Sequence, residues 1–174
     1  MSRRIVVDAS IARSAGTTEN PVSIRCREFL QAMLHVCHRV VMTSDLMREW
    51  QKHQSAFTVT WLGTMRRRRK VVTVIPDAGK HTLLALGIQD SDLTKKRRDA
   101  LAKDCLLVVA AWEADRLIAS RDDQVRKLFA SLNSHVDGIG SLIWVNPDHS
   151  KEDVTTWLHA GARSESHRRL DQYE

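Results

Sequence analysis

Five short apolar runs punctuate the chain, and each ends in residues that favour turns or helix starts. Ile5-Val6-Val7 ends at Asp8-Ala9-Ser10, Val40-Val41-Met42 at Thr43-Ser44-Asp45, and Val71-Val72-Thr73-Val74-Ile75 at Pro76. Leu117-Ile118-Ala119 ends at Ser120-Arg121-Asp122-Asp123, and Leu142-Ile143-Trp144-Val145 at Asn146-Pro147. Runs this short, rich in β-branched residues and without polar alternation, predict strands covered on both faces.

Between them the spacing changes. Cys26, Phe29, Leu30, Met33, Leu34 and Cys37 recur at offsets of three and four, which predicts one buried helical stripe. Thr43-Ser44-Asp45 offers an N-cap for a helix carrying Leu46, Met47, Glu49 and Trp50. Further helices are expected over 59–65, 80–86 and 101–115, around Val125, Leu128, Phe129 and Leu132, and over 154–160. Asp90-Ser91-Asp92 is the expected cap of the helix that holds the second basic run. Strands alternating with helices predict a three-layer α/β sandwich, with a central mostly parallel sheet flanked by helices. In such sheets the working crevice lies beyond the carboxyl ends of the strands, where Asp8 and Asp122 fall.

At 174 residues the chain is long enough for one domain with a real core. That domain is expected over 1–147, with 148–174 a C-terminal helix and polar tail packed on it or extending from it, mobile from Arg163 onward. No stretch has the roughly 20 apolar residues of a membrane helix, and the apolar run after the basic start is too short for a signal peptide. Three cysteines form no Cys-x-x-Cys pair, and Cys26 and Cys37 would sit about 16 Å apart along one helix, too far for a disulfide. They read as small buried residues of a reducing compartment, so the cytoplasm is the expected location. Eight histidines show no zinc-ligand spacing.

A formal charge of +6 fits a polyanionic partner. The positive charge is concentrated in Arg66-Arg67-Arg68-Arg69-Lys70 and Lys95-Lys96-Arg97-Arg98. Alone, such runs are usually solvated faces; beside a cluster of acids they read as a rim that holds a phosphate backbone.

The acids are Asp8, Glu49, Asp104 and Asp122. Singly, Asp8 and Asp122 could cap helices and Glu49 could face solvent, whereas Asp104 sits among Leu101, Leu107 and Val108 and must find a partner or neutralise. If the fold brings them together, their repulsion calls for a divalent cation, and Mg²⁺ and Mn²⁺ favour just such oxygen ligands. Asp45 and Asp123 are extra acids expected to face solvent.

This order of residues resembles the PIN-domain nucleases. The likeness spans Ile5 to Phe129: an apolar run ending in Asp-x-Ser (Asp8-Ala9-Ser10), a helix start from Ser44 to Glu49, Asp104 on an Ala-rich helix, and a strand ending in a hydroxyl-x-Asp turn (Ser120-Arg121-Asp122). Many members of that family are toxins of VapBC-type toxin–antitoxin pairs that cut RNA with Mg²⁺ or Mn²⁺. The resemblance implies a metal-dependent endoribonuclease with Asp8, Glu49, Asp104 and Asp122 as metal-site acids and Ser10 and Ser120 as hydroxyls orienting them. It implies RNA as substrate, an antitoxin protein as partner, and a homodimer, and the charge pattern expects that RNA to be held by Arg66, Arg67, Arg68, Arg69, Lys70, Lys95, Lys96, Arg97 and Arg98. The rival is a non-catalytic PIN-like module that binds RNA or protein, its acids serving as caps and ion pairs.

Overall fold

The computed structural model describes residues 2–173 and contains five strands in one all-parallel sheet. The strands are β1 (Arg4–Val7), β2 (Arg39–Met42), β3 (Val71–Thr73), β4 (Leu117–Ala119) and β5 (Ile143–Val145), in the spatial order β3-β2-β1-β4-β5. The central strands β1 and β4 are buried along their apolar residues, as their uninterrupted Val, Ile and Leu require. The expected strand at 71–75 is shorter, because it is an edge: pairing stops at Thr73, and Ile75 is 89% exposed.

Helices α1 (Ala9–Ser14) and α2 (Pro21–His35) connect β1 to β2, and α3 (Ser44–His53) and α4 (Ala56–Arg67) connect β2 to β3. Then α5 (Ala78–Gln89) and α6 (Lys95–Trp112) lead to β4, α7 (Asp123–Ala130) to β5, and α8 (Val154–His159) follows the sheet. Parallel crossovers are right-handed, so a strand order that runs one way from β1 and the other way from β4 puts α1–α4 on one face and α5–α7 on the other. Packing agrees: α2 lies against α1, α4 and α8, while α6 lies against α5, α7 and the central strands. The result is the expected three-layer α/β sandwich.

Its topological switch point falls between β1 and β4, where adjacent connections leave in opposite directions and open a crevice. Asp8 follows β1 and Ser120-Arg121-Asp122 follows β4, so both line that crevice by topology alone. The same logic separates the basic runs. Arg66 to Lys70 immediately precede β3 and therefore sit at the opposite end of the sheet from the acids, whereas Lys95 to Arg98 form the first turn of α6 on the acids' side.

Several local expectations change. The N-cap position of α6 is Thr94, not Asp90-Ser91-Asp92, and Ser91 instead donates to the Ile88 carbonyl. Helix α2 ends at His35, which leaves Cys37 outside it and exposed, while Cys26 and Cys105 are buried. The segment after Arg163 is docked, not mobile. Leu170 is buried and donates its amide to the Leu142 carbonyl, Arg168 is buried over the Trp157 ring, and Arg126 stacks on Tyr173. Composition alone missed this because a few buried anchors hold a chain that is otherwise polar. No helix among the described residues is long and apolar enough to cross a membrane.

Candidate metal centre

Asp8 stands at the N-cap of α1, yet its side chain makes no capping bond. Instead one carboxylate oxygen, Oδ2, accepts from both expected hydroxyls, Ser10 and, at 2.8 Å, Ser120. The backbone fixes the arrangement: the Asp8 amide donates to the Ala119 carbonyl at 2.9 Å, which ties the end of β1 to the end of β4. Ser120 also accepts from the Asp122 amide at 3.1 Å, and Ser10 accepts from the Arg121 amide at 3.3 Å. The two hydroxyls therefore lock both turns around the Asp8 carboxylate.

Asp122 does cap its helix, accepting from the Val125 amide at 2.9 Å through Oδ1. Here the capping role and a place in the crevice coexist, because a carboxylate has two oxygens. Asp104 lies on α6 among buried Leu101, Cys105, Leu107 and Val108. Burial, and after it the negative charges of Asp8 and Asp122, raise its pKa to about 7. Three acids distant in sequence thus act on one another across the switch point. Of the charges acting on Asp104, only the adjacent Lys103 opposes the rise.

Glu49 is not drawn into that set. It is nearly half exposed on α3 and pairs with Lys52 at 2.7 Å and with His53 on its own helix. The bond from Lys52 holds its carboxyl below the usual range, and the three switch-point acids are not among the charges acting on it. A surface position one turn from two basic neighbours explains why it stays there. Lys70 likewise leaves the expected RNA-binding set. Its ammonium donates to the Met33 and Leu34 carbonyls at 2.9 Å, and to that of Val36, closing the C-terminal end of α2. Arg66, Arg67, Arg68 and Arg69 are exposed but lie at the far end of the sheet, so they do not rim the acids. Asp45 pairs with Arg48 on the surface of α3.

Asp123, expected to face solvent, is half-buried beside a second group of acids. Its Oδ2 accepts from the Asn146 amide nitrogen at 2.8 Å and lies 2.9 Å from His149 Nε2. Asp123, His149 and Glu152 offer ligand atoms within 4.8 Å of one another and could hold a metal ion. Glu152, however, is already paired with Arg126 at 2.6 Å and lies 3.6 Å from Arg168, both buried guanidinium groups. Two fixed cations beside one ligand oppose a third, so this partly exposed group reads first as an ion-pair network, although it could hold a metal ion.

An open cleft of about 420 Å³ lies beside the switch point, walled by Ser10, Arg13, Arg121, Asp122, Asp123 and Gln124. A larger groove of about 590 Å³ runs between α2 and α8, but none of the switch-point acids reaches it. Arg13 and Arg121 are functional candidates that the charge-run argument passed over, because neither belongs to a run. Helical spacing could have found the first, since Arg13 is one turn beyond Ser10 on α1. Arg121 is held in place, donating to Ser14 at 2.7 Å and to Asp148 at 3.2 Å.

Asp8, Asp104 and Asp122 are carboxylates that act on one another electrostatically, and two hydroxyls orient Asp8, but among the described residues the set whose ligand atoms lie within 4.8 Å of one another is Asp123, His149 and Glu152. Compared with known proteins, the chain matches no family model and no curated protein closely enough to be paired with it.

Proposed function

We propose that this chain is a metal-dependent endoribonuclease of the PIN type, with Asp8, Asp104 and Asp122 as the acids that hold Mg²⁺ or Mn²⁺. One observation supports the reading: at the switch point of a parallel sheet Asp104 is raised first by burial and then by the negative charges of Asp8 and Asp122, so the three acids face a common space. A bound divalent cation supplies charge for the phosphate and lowers the pKa of a water molecule. Asp8 binds through an orientation fixed by Ser10 and Ser120, and Asp122 through the oxygen its helix cap leaves free. Asp104 must give up its proton to bind, so cation and proton compete at this carboxyl.

Substrate contact falls to the start of α6. Lys95, Lys96, Arg97 and Arg98 are concentrated where the helix dipole already favours anions, and Arg98 lies about 9 Å along the axis from Asp104. That is within reach of neighbouring phosphates on one RNA strand. Glu49 is assigned no ligand role here. The toxin role, with an antitoxin partner and a homodimer, rests on the resemblance alone.

The test is incubation of purified protein with labelled RNA across Mg²⁺, Mn²⁺ and chelator, beside Asp104→Asn. Cleavage that needs metal and disappears in the variant supports the reading. Full activity in Asp104→Asn, or in chelator, would overturn it. Metal-independent RNA binding with no cleavage would favour the non-catalytic module.

A further inference from the structure

Arg13 is an exposed guanidinium in the wall of the acidic cleft that the fold itself does not use. Among the described residues it makes no hydrogen bond or ion pair, whereas Arg25, Arg121, Arg126 and Arg168 are each held by a carboxylate. Ser10 and Arg13 are three residues apart on α1 and share a face, and helical side chains lean back toward the N-terminus. Arg13 and Ser10 line the same cleft, and the Ser10 hydroxyl is bonded to Asp8. Asp122 lies in the same cleft without closing an ion pair to it.

We propose that Arg13 contacts a non-bridging oxygen of the phosphodiester seated over Asp8 and Asp122. This rests on the nuclease reading for the cleavage it assists, but the phosphate contact can be measured without cleavage. A guanidinium has a fork of donors matched to phosphate oxygens, and with a cation on the acids a phosphate between them and Arg13 would be attracted from both sides. Arg121, on the same cleft, is anchored by donating to Ser14 and Asp148, whereas Arg13 is not so held. With the Arg66 to Arg69 run at the far end of the sheet, Arg13 supplies positive charge at the cleft itself.

The experiment has two arms, with unchanged melting of Arg13→Gln as the folding control. In the first, single-stranded RNA is bound to Asp104→Asn protein across a salt series, with and without Arg13→Gln. Loss of one phosphate contact should weaken binding and make the slope of log affinity against log salt shallower by about 0.7. In the second, Arg13→Gln alone should lower kcat/KM for RNA by about 10–100-fold, as expected for one charge-assisted hydrogen bond. Arg13→Lys should restore the slope but only part of the rate, since lysine keeps the charge without the fork. An unchanged slope with unchanged kcat/KM overturns the role of Arg13 while leaving the nuclease intact. A shallower slope in a protein that never cleaves upholds the phosphate contact and overturns the nuclease.

Discussion

Two groups of acids lie close together at the carboxyl end of this sheet and are treated in opposite ways. Asp123, Asp148 and Glu152 are matched by cations or amides: Asp148 by Arg25 and Arg121, Glu152 by Arg126, Asp123 by Asn146 and His149. Asp8 receives two hydroxyls and Asp122 a backbone amide, none of the three switch-point acids pairs with a guanidinium among the described residues, and Asp8 and Asp122 disfavour the charge on Asp104. The first group ties the C-terminal segment to β4 and α7, so its charges stabilise the fold. The second group meets its repulsion by keeping a proton on Asp104 up to about pH 7, a proton that a bound cation would displace.

Substitutions should separate the two. The largest effect on stability is expected at Glu152. Glu152→Ala strands buried Arg126 and leaves Arg168 with fewer partners, and should lower stability by about 3–5 kcal/mol, measured by denaturant unfolding. The equivalent step at the other group should act in the opposite direction. Asp104→Asn is expected to stabilise the metal-free protein at pH 8, because it removes a charge that its neighbours disfavour.

The pH dependence fixes the sign of that claim. In the unfolded chain Asp104 ionises near 3.8, while in the folded protein it does so at about 7, so over that interval the folded state holds a proton the unfolded state has lost. Its contribution to stability is therefore fully present below the lower value, declines as pH rises through the window, and is flat above it. Melting temperatures across this range should show the decline in the native chain, less of it in Asp104→Asn, and a stabilisation by Mn²⁺ that grows with pH. A Mn²⁺ effect equal at pH 5 and pH 8 would remove Asp104 from the cation site.

Smaller effects should sharpen the contrast. Ser120→Ala removes one of the hydroxyls that orient Asp8 and should reduce metal affinity or activity by about 10–100-fold, read by metal titration of cleavage. Glu49→Gln breaks only an exposed pair with Lys52, so stability should change by less than about 1 kcal/mol and cleavage hardly at all. A large loss of cleavage there would restore Glu49 to the site.

Asp8, Ser10, Asp104, Ser120 and Asp122 were legible as candidates because each sits at a strand end or in an apolar helix, where a polar side chain has few other reasons to be. Glu49 was read into the site on spacing within a likeness, and the surface pairing with Lys52 and His53 was invisible without the helix orientation. Lys70 shows the same limit from the other side. It belongs to a basic run by sequence, but the end of α2 lies within reach and takes its ammonium.

Periodicity and strand-end residues determined the layered α/β class, the five apolar runs and the acids at the ends of β1 and β4, because these depend on neighbours a few positions apart. Strand order was left to the tertiary structure, and with it the switch point between β1 and β4, the far-end placement of Arg66 to Arg69 and the approach of Asp104 to Asp8 and Asp122. Those relations join residues up to a hundred or more positions apart, and only packing of the helices on the two faces decides which of them meet.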